Sequence, residues 1–356
     1  MNVLTGYIVR EILKGSFVAL LLLLTLFNLF TFSDELKDLG KGSYGLTEIF
    51  YYLALTSPTI IYELVPSSAL LGSLFILGAM ANNHELIAMR AAGLSIFGII
   101  KAVMVAGAIL VIISILVGEF VAPPADRKAQ TLKVTAQHGQ VLMDAKYGLW
   151  LREGKKFINV RQILGDGNLA DISIYELDTE HHLRQARHAE RAIFLGKQQW
   201  KLEDIRKSEI STQQMLAETQ KEQFWTSSVA PDLLKNTVVN PNNLSLYDLA
   251  MYIGFLKENH QKSHTFEQAL WGRVVNPLVT FIMLLVSAPF VIGVRRGISA
   301  GARMMIGVVI GLSFNIIDTT FGHIGLIYNL NPPFIAFIPS LTVLVLALYA
   351  INRVQE

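Results

Sequence analysis

There is no cysteine anywhere in this chain of 356 residues. Disulfides, thiolate metal centres and a cysteine nucleophile are therefore excluded, and any part outside the cytoplasm must be held by its core alone. Charge is scarce as well. Asp, Glu, Lys and Arg make up 16% of the residues, where soluble domains carry roughly a quarter. The deficit falls in long apolar runs, while a central stretch has an ordinary polar composition. A net charge of +2 leaves no basic footprint for nucleic acid. No GxxxxGK[ST] phosphate loop occurs, so the chain does not hydrolyse ATP itself, and no HExxH zinc signature occurs either.

What is present is six apolar runs long enough to cross a bilayer, three before the polar stretch and three after it. This patterning predicts an α-helical membrane protein of 3+3 spans with an inserted domain. Span one covers about Ile12 to Phe32; it lacks a small-x-small cleavage site and reads as a retained helix. Span two, Ile49 to Met80, exceeds one perpendicular crossing, so Pro58 and Pro66 kink it or its outer end stands clear. Gly72 and Gly78 offer close-packing positions. A short helix follows, with Asn82 as N-cap, Glu85 completing a capping box and Gly93 as stop. Span three, Ile96 to Val121, ends at Ala122-Pro123-Pro124. Spans four to six cover about Leu270 to Val294, Met304 to Leu326 and Phe334 to Ile351, with Gly307 and Gly311 as a small-residue face in span five. Arg10, Lys14, Arg90, Lys101, Arg295, Arg296, Arg303 and Arg353 fall on one side, which places both termini in the cytoplasm and the insert outside.

The insert, residues 124–264, separates a block at 1–123 from one at 265–356. Its short alternating runs imply an all-β, antiparallel sandwich or open jellyroll-like domain. Leu149 to Leu151 and Phe157 to Val160 flank a Glu153-Gly154-Lys155 hairpin signal, and Gly165-Asp166-Gly167-Asn168 turns into Ile172 to Tyr175. His182 to Arg187, Ala192 to Leu195, Gln199 to Leu202, Ser208 to Ser211 and Gln223 to Ser227 read as further separate strands. Leu244 to Asn259 is amphipathic at helical spacing through Leu246, Leu249, Ile253 and Leu256, and is expected along the membrane surface.

Four groups of residues carry chemistry. Glu85 starts the short helix; it either complements the helix dipole or forms a charged peg for a partner's groove, with Leu86, Met89 and Arg90 around it. Lys37 and Lys41 stand at the outer mouth of span one. They either snorkel or capture a phosphorylated or carboxylated headgroup, with Arg127, Lys128 and Lys133 extending the same basic rim. Glu63, Glu119 and Asp318 lie in or near apolar runs, where acidic groups must be paired, hydrated or on a pathway; paired or hydrated roles are favoured over proton coupling. His181, His182 and His188 suggest a metal, but alternation points neighbouring strand residues to opposite faces, so solvent-facing positions are favoured.

This arrangement resembles the permease family of the lipopolysaccharide exporter over nearly the whole chain. The resemblance rests on Asp34-Glu35-Leu36-Lys37 leading to Gly42-Ser43-Tyr44, on residues His84 to Gly93, and on Gly118-Glu119-Phe120-Val121-Ala122-Pro123. It rests also on Gly148-Leu149-Trp150, Ile172 to Tyr175, Ile317-Asp318-Thr319-Thr320-Phe321-Gly322 and Asn331-Pro332-Pro333, which look like the family's LptG branch more than its LptF branch. The resemblance implies a heterodimer with an LptF-type permease, driven by two LptB-type ATPases that bind ATP and Mg, and accompanied by an LptC-type protein. Lipopolysaccharide would enter from the outer leaflet and pass to an LptA-type periplasmic β-jellyroll bridge, with no cofactor on this chain. The helix at about 83–92 then becomes the coupling helix, with Glu85 docking into the ATPase. Lys37, Lys41 and Asp34 become the headgroup set, although Asp38 stands where a second family lysine can. Leu64 and Phe314 become cavity residues for acyl chains. An ion-coupled secondary transporter would show paired intramembrane charges and broken helices at the midplane. A scaffold merely displaying the β domain would leave the short helix and basic rim without purpose.

Overall fold

The computed structural model describes all residues except 1–2, 139–140, 165–166, 179, 181, 197, 211–213, 228–240, 293–299 and 356. Arg295, Arg296 and His181 therefore lie outside the described residues. The chain divides into two compact units: residues 1–34, 53–125 and 264–356 form the first, and residues 35–52 and 126–263 the second.

The first unit is helical. Its elements are α1 (Val3–Glu35), most of α2 (Leu46–Asn82), the short α3 (Glu85–Ala91), α4 (Ile96–Leu116), a π-helical turn (Val117–Val121), the first residues of α5 (Ala122–His138), α7 (His264–Ile292), α8 (Ala300–Ile327) and α9 (Pro332–Gln355). Six of the described helices are long and apolar enough to cross a membrane, and those containing Val3–Asp38 and Met305–Ile327 are the least covered by the chain itself. Leu22 and Phe30 of α1, Leu312 and Ile316 of α8 and Leu346 of α9 project outward. Such surface is unsustainable in water, and helices are the form in which backbone polar groups can enter lipid. The chain is a multi-pass membrane protein with an inserted β domain.

Two side-chain clusters hold this unit. One gathers Ile8 and Ile12 of α1, Leu77 and Met80 of α2, Leu86 and Met89 of α3, and Val103 and Ala106 of α4. The other joins Leu70 and Leu74 of α2 to Val279 and Met283 of α7 and Ala347 of α9. Gly72 sets the closest approach: a Cβ there would lie 2.3 Å from the Ser16 backbone nitrogen. Gly307 of α8 likewise admits Leu74, whose Cδ1 a Cβ would meet at 2.7 Å. Both were expected packing positions. Pro58 and Pro66 are carried inside α2.

Two expectations change. The short helix is not capped by Asn82, which is the last residue of α2. Its N-cap is His84, in left-handed backbone (φ 63°) with no side-chain cap bond, so no capping box forms. The stop at Gly93 (φ 93°) does occur, with the Gly93 and Leu94 amides donating to the Arg90 and Met89 carbonyls. Nor does the helix end at Pro123-Pro124, because a proline lacks a donor that a first helical turn does not use. The break appears as the π turn, and α5 continues to His138.

The second unit is built on six antiparallel strands in sequential order: β1 (Val141–Glu153), β2 (Lys156–Leu164), β3 (Leu169–Leu177), β4 (Leu183–Gly196), β5 (Gln199–Ile210) and β6 (Met215–Thr226). The described part of the insert is thus an up-and-down meander. Four strands share a transverse crease. Val160, Ile172, Ala189 and Ile205 form one buried row across β2 to β5, and Ile163, Leu169, Ala192 and Leu202 form the next. Within every strand these rows are three residues apart, so the inward parity slips by one in register. Asp171 (φ 52°) and Asp204 (φ 51°) occupy the crease in left-handed backbone. This is why β4 and β5 each read as two strands from alternation alone. Beyond it, Trp200 packs fully buried against Phe194 and Trp225, at centroid distances of 4.9 and 6.3 Å. The amphipathic segment is α6 (Leu246–Glu258), capped by Ser245 and burying Leu249, Ile253 and Leu256 as expected.

The crease predicts a side-chain preference. Asp204→Gly should leave thermal stability nearly unchanged, whereas Asp204→Val should lower it by about 1–2 kcal/mol, the cost of left-handed backbone at a residue with no local hydrogen bond. Tryptophan emission during unfolding checks this, since Trp150, Trp200 and Trp225 all lie in the sheet.

Candidate functional site

The short helix α3 has two faces. Leu86 and Met89, one turn apart, are each 7% exposed and anchor it to the helical core. They therefore do not surround Glu85 on a docking surface, as the sequence suggested. Ile87, at 53% exposure, and Arg90 point away from the core. A seven-residue helix cannot present all of these on one side, and i, i+3 spacing sends Leu86 and Met89 inward. Glu85 is half-buried; its carboxylate accepts bonds from the Tyr7 hydroxyl at 3.0 Å and the Asn83 amide at 3.4 Å. Tyr7 of α1 thus holds the acidic group in place, a role that no local pattern announces. The outward side of α3 carries Ile87 and Arg90, with Glu85 half-buried at its start.

The loop between α1 and α2 is tied to α5 inside the second unit. Glu35, buried, accepts the Tyr44 hydroxyl at 2.8 Å and the Lys133 ammonium at 2.8 Å. Lys133 also pairs with Asp38 at 3.0 Å and lies over the Tyr52 ring. Asp38 in turn holds Lys41 at 2.7 Å. Burial first, then the bond to Glu35, pushes the Tyr44 phenol well above its usual range, so it remains a proton donor. Gly42 (φ 59°) closes the loop, since a Cβ would stand 2.4 Å from the Ala136 carbonyl. Arg127 pairs with Asp248, tying α5 to α6.

The basic rim is therefore divided. Arg127, Lys133 and Lys41 are committed to ion pairs, Lys41 from an exposed position through Asp38; Lys37 and Lys128 are exposed, and Asp34 is exposed near Lys37 in sequence. Leu64 is 6% exposed and packs inside the helical unit, which leaves it no surface for an acyl chain. Phe314 is half-buried against the cluster around Leu70 and Val279. Glu63 and Asp318 are exposed on α2 and α8. Glu119 is paired, its carboxylate 3.2 Å from Arg273 of α7. Arg273, 5% exposed, is the residue sequence reading misses. Its signal was a lone arginine entering an apolar run, which must find a partner. In the insert, His182 lies beside Asp178 and Glu180 at 3.6 and 3.7 Å. His188 approaches Ser173 and Asp171 through one ring nitrogen, at 3.2 and 3.7 Å, which is not the relay geometry of a hydrolase.

Removing the Tyr44 hydroxyl by Tyr44→Phe should cost about 1–3 kcal/mol, because a buried carboxylate loses a donor. Lys133→Met should destabilise in the same range after allowance for partial exposure. Thermal melts of the detergent-solubilised protein check both, with Lys128→Met expected to leave stability unchanged.

The model of the lipopolysaccharide export system permease LptF/LptG family matches residues 6–353. The lipopolysaccharide export system permease protein LptG of Haemophilus influenzae is 31% identical over 357 residues, covering 100% of both chains. That of Escherichia coli K12 is 29% identical, covering 99% of this chain and 98% of its own. With six spans, an inserted β domain and full-length coverage, this chain belongs to the LptF/LptG family of lipopolysaccharide export permeases.

Proposed function

We propose that this chain is one membrane half of an ATP-driven exporter in the bacterial inner membrane, paired with an LptF-type permease. Two LptB-type ATPases, loaded with ATP and Mg, drive it from the cytoplasm; this chain binds no cofactor. An LptC-type protein accompanies the pair. Lipopolysaccharide leaves the outer leaflet through the permeases and passes to an LptA-type periplasmic β-jellyroll bridge. Both termini and α3 face the cytoplasm, and the β sheet faces the periplasm, in keeping with the basic flanks of the spans.

The observation that carries this reading is the short helix α3, held to the core by Leu86 and Met89 while Ile87 and Arg90 point away and Glu85, half-buried, is held by the Tyr7 hydroxyl. A rigid peg anchored on one face and free on the other suits transmission of ATPase movement into the spans. Lys37, with Lys41 and Asp34 beside it, is the headgroup contact; Lys133 is structural. The antiparallel sheet suits strand addition to a neighbouring jellyroll.

Reconstituted into vesicles with its partners, the Glu85→Ala chain should lose at least about ten-fold in lipopolysaccharide transfer, equivalent to about 1.4 kcal/mol of coupling. Tyr7→Phe should lose less, since the carboxylate remains. Leu86→Ala should instead lower thermal stability by about 2–5 kcal/mol, as a core truncation does. Normal transfer by the Glu85→Ala complex, with ATP hydrolysis still responding to lipopolysaccharide, would sink the assignment of α3.

A further inference from the structure

Three helical segments interrupted at or beside a proline meet at one point inside the helical unit, where donors from two of them serve carbonyls in all three. Pro66 has no N–H for the Tyr62 carbonyl of α2; the Asn276 side chain of α7 supplies one at 3.4 Å. Pro277 has none for the Arg273 carbonyl of α7; the Tyr62 hydroxyl supplies one at 3.3 Å. At the π turn the Ala122 amide turns to the Val117 carbonyl, and Pro123 offers no amide, so the Gly118 carbonyl has no backbone donor. Arg273 supplies it at 2.8 Å, while pairing with Glu119 at 3.2 Å. The arginine also lies 5.3 Å from the centre of the Tyr62 ring. Gly118 is glycine because a Cβ would strike that ring at 2.5 Å.

Each donor here replaces a bond that an uninterrupted helix would make for itself. Substituting alanine for the three prolines would supply those bonds more simply. Kinks from proline and π turns are places where a helix bends with little loss of hydrogen bonding, because the bonds there come from side chains that can exchange partners. We propose that this interlock is a flex point of the transport cycle, at which spans two, three and four change their bend together, and that Tyr62, Arg273 and Asn276 are its positioning residues. The proposal rests on the exporter reading above.

The test separates flexing from mere stability. Tyr62→Phe keeps the ring but orphans the Arg273 carbonyl. Pro277→Ala restores a backbone donor for that carbonyl and straightens α7. The variants are compared in the full reconstituted complex, measuring melting temperature, ATPase rate and lipopolysaccharide transfer, with wild type and Glu85→Ala in parallel. Tyr62→Phe should melt lower. The double variant should melt as wild type, hydrolyse ATP within about two-fold, and transfer lipopolysaccharide at least about ten-fold more slowly; Pro277→Ala alone should show the same loss. Wild-type transfer by the double variant would make the interlock a structural brace only, and wild-type transfer by Pro277→Ala alone would overturn the flex point even if Tyr62→Phe fails to assemble. If wild type itself moves no lipopolysaccharide, the exporter reading fails and this proposal falls with it. If wild type transfers, Glu85→Ala does not and Pro277→Ala does, only the flex point is lost.

Discussion

A backbone carbonyl inside a bilayer has no water to turn to. Every such group must find a donor within the protein, and this constraint governs how the helical unit is built. Where the helices run uninterrupted, they satisfy themselves and expose apolar flanks to lipid or partners. At Pro66, Pro123 and Pro277, Asn276, Arg273 and Tyr62 supply the missing donors across helix boundaries. A buried arginine would be costly alone; it is tolerable because one guanidinium serves a carbonyl, a carboxylate and an aromatic face at once. The glycines follow the same logic, since Gly72 and Gly118 sit where another helix's backbone or a ring must approach.

The second unit obeys a different rule. Water is available to it, so its stability comes from a continuous buried face and from a few tight polar ties. The crease in the sheet keeps apolar rows aligned on both sides of a change in parity, at the modest cost of two aspartates in left-handed backbone. The tie between Glu35, Tyr44 and Lys133 fixes the loop against α5. Around that network Lys37, Lys41 and Lys128 stand exposed, Lys41 paired with Asp38.

The spans, the short helix and the β insert were legible because each depends on local signals: apolar run length, a Gly93 stop, period-two alternation. What escaped depends on contacts distant in sequence. Capping chemistry around Asn82 looked sufficient, yet α2 continues through it and His84 takes the left-handed position. Leu86 and Met89 share an apolar character with a docking face, and only the packing of α1 and α4 decides that they turn inward. Arg127 and Lys133 looked like free cations because Asp248 and Glu35 lie 121 and 98 residues away. Pro66 read as a kink in span two, Pro123 as the end of span three, and Pro277 drew no reading; their mutual compensation exists only once the helices are side by side.

The central claim is that this chain works as half of a coupled exporter and not alone. It is tested most directly by purifying the tagged chain from native membranes in mild detergent and weighing everything retained by native mass spectrometry. The account predicts a single particle containing a second six-span permease, two copies of an ATPase and bound lipopolysaccharide. Recovery of this chain alone, folded, stable and free of lipopolysaccharide, would contradict it.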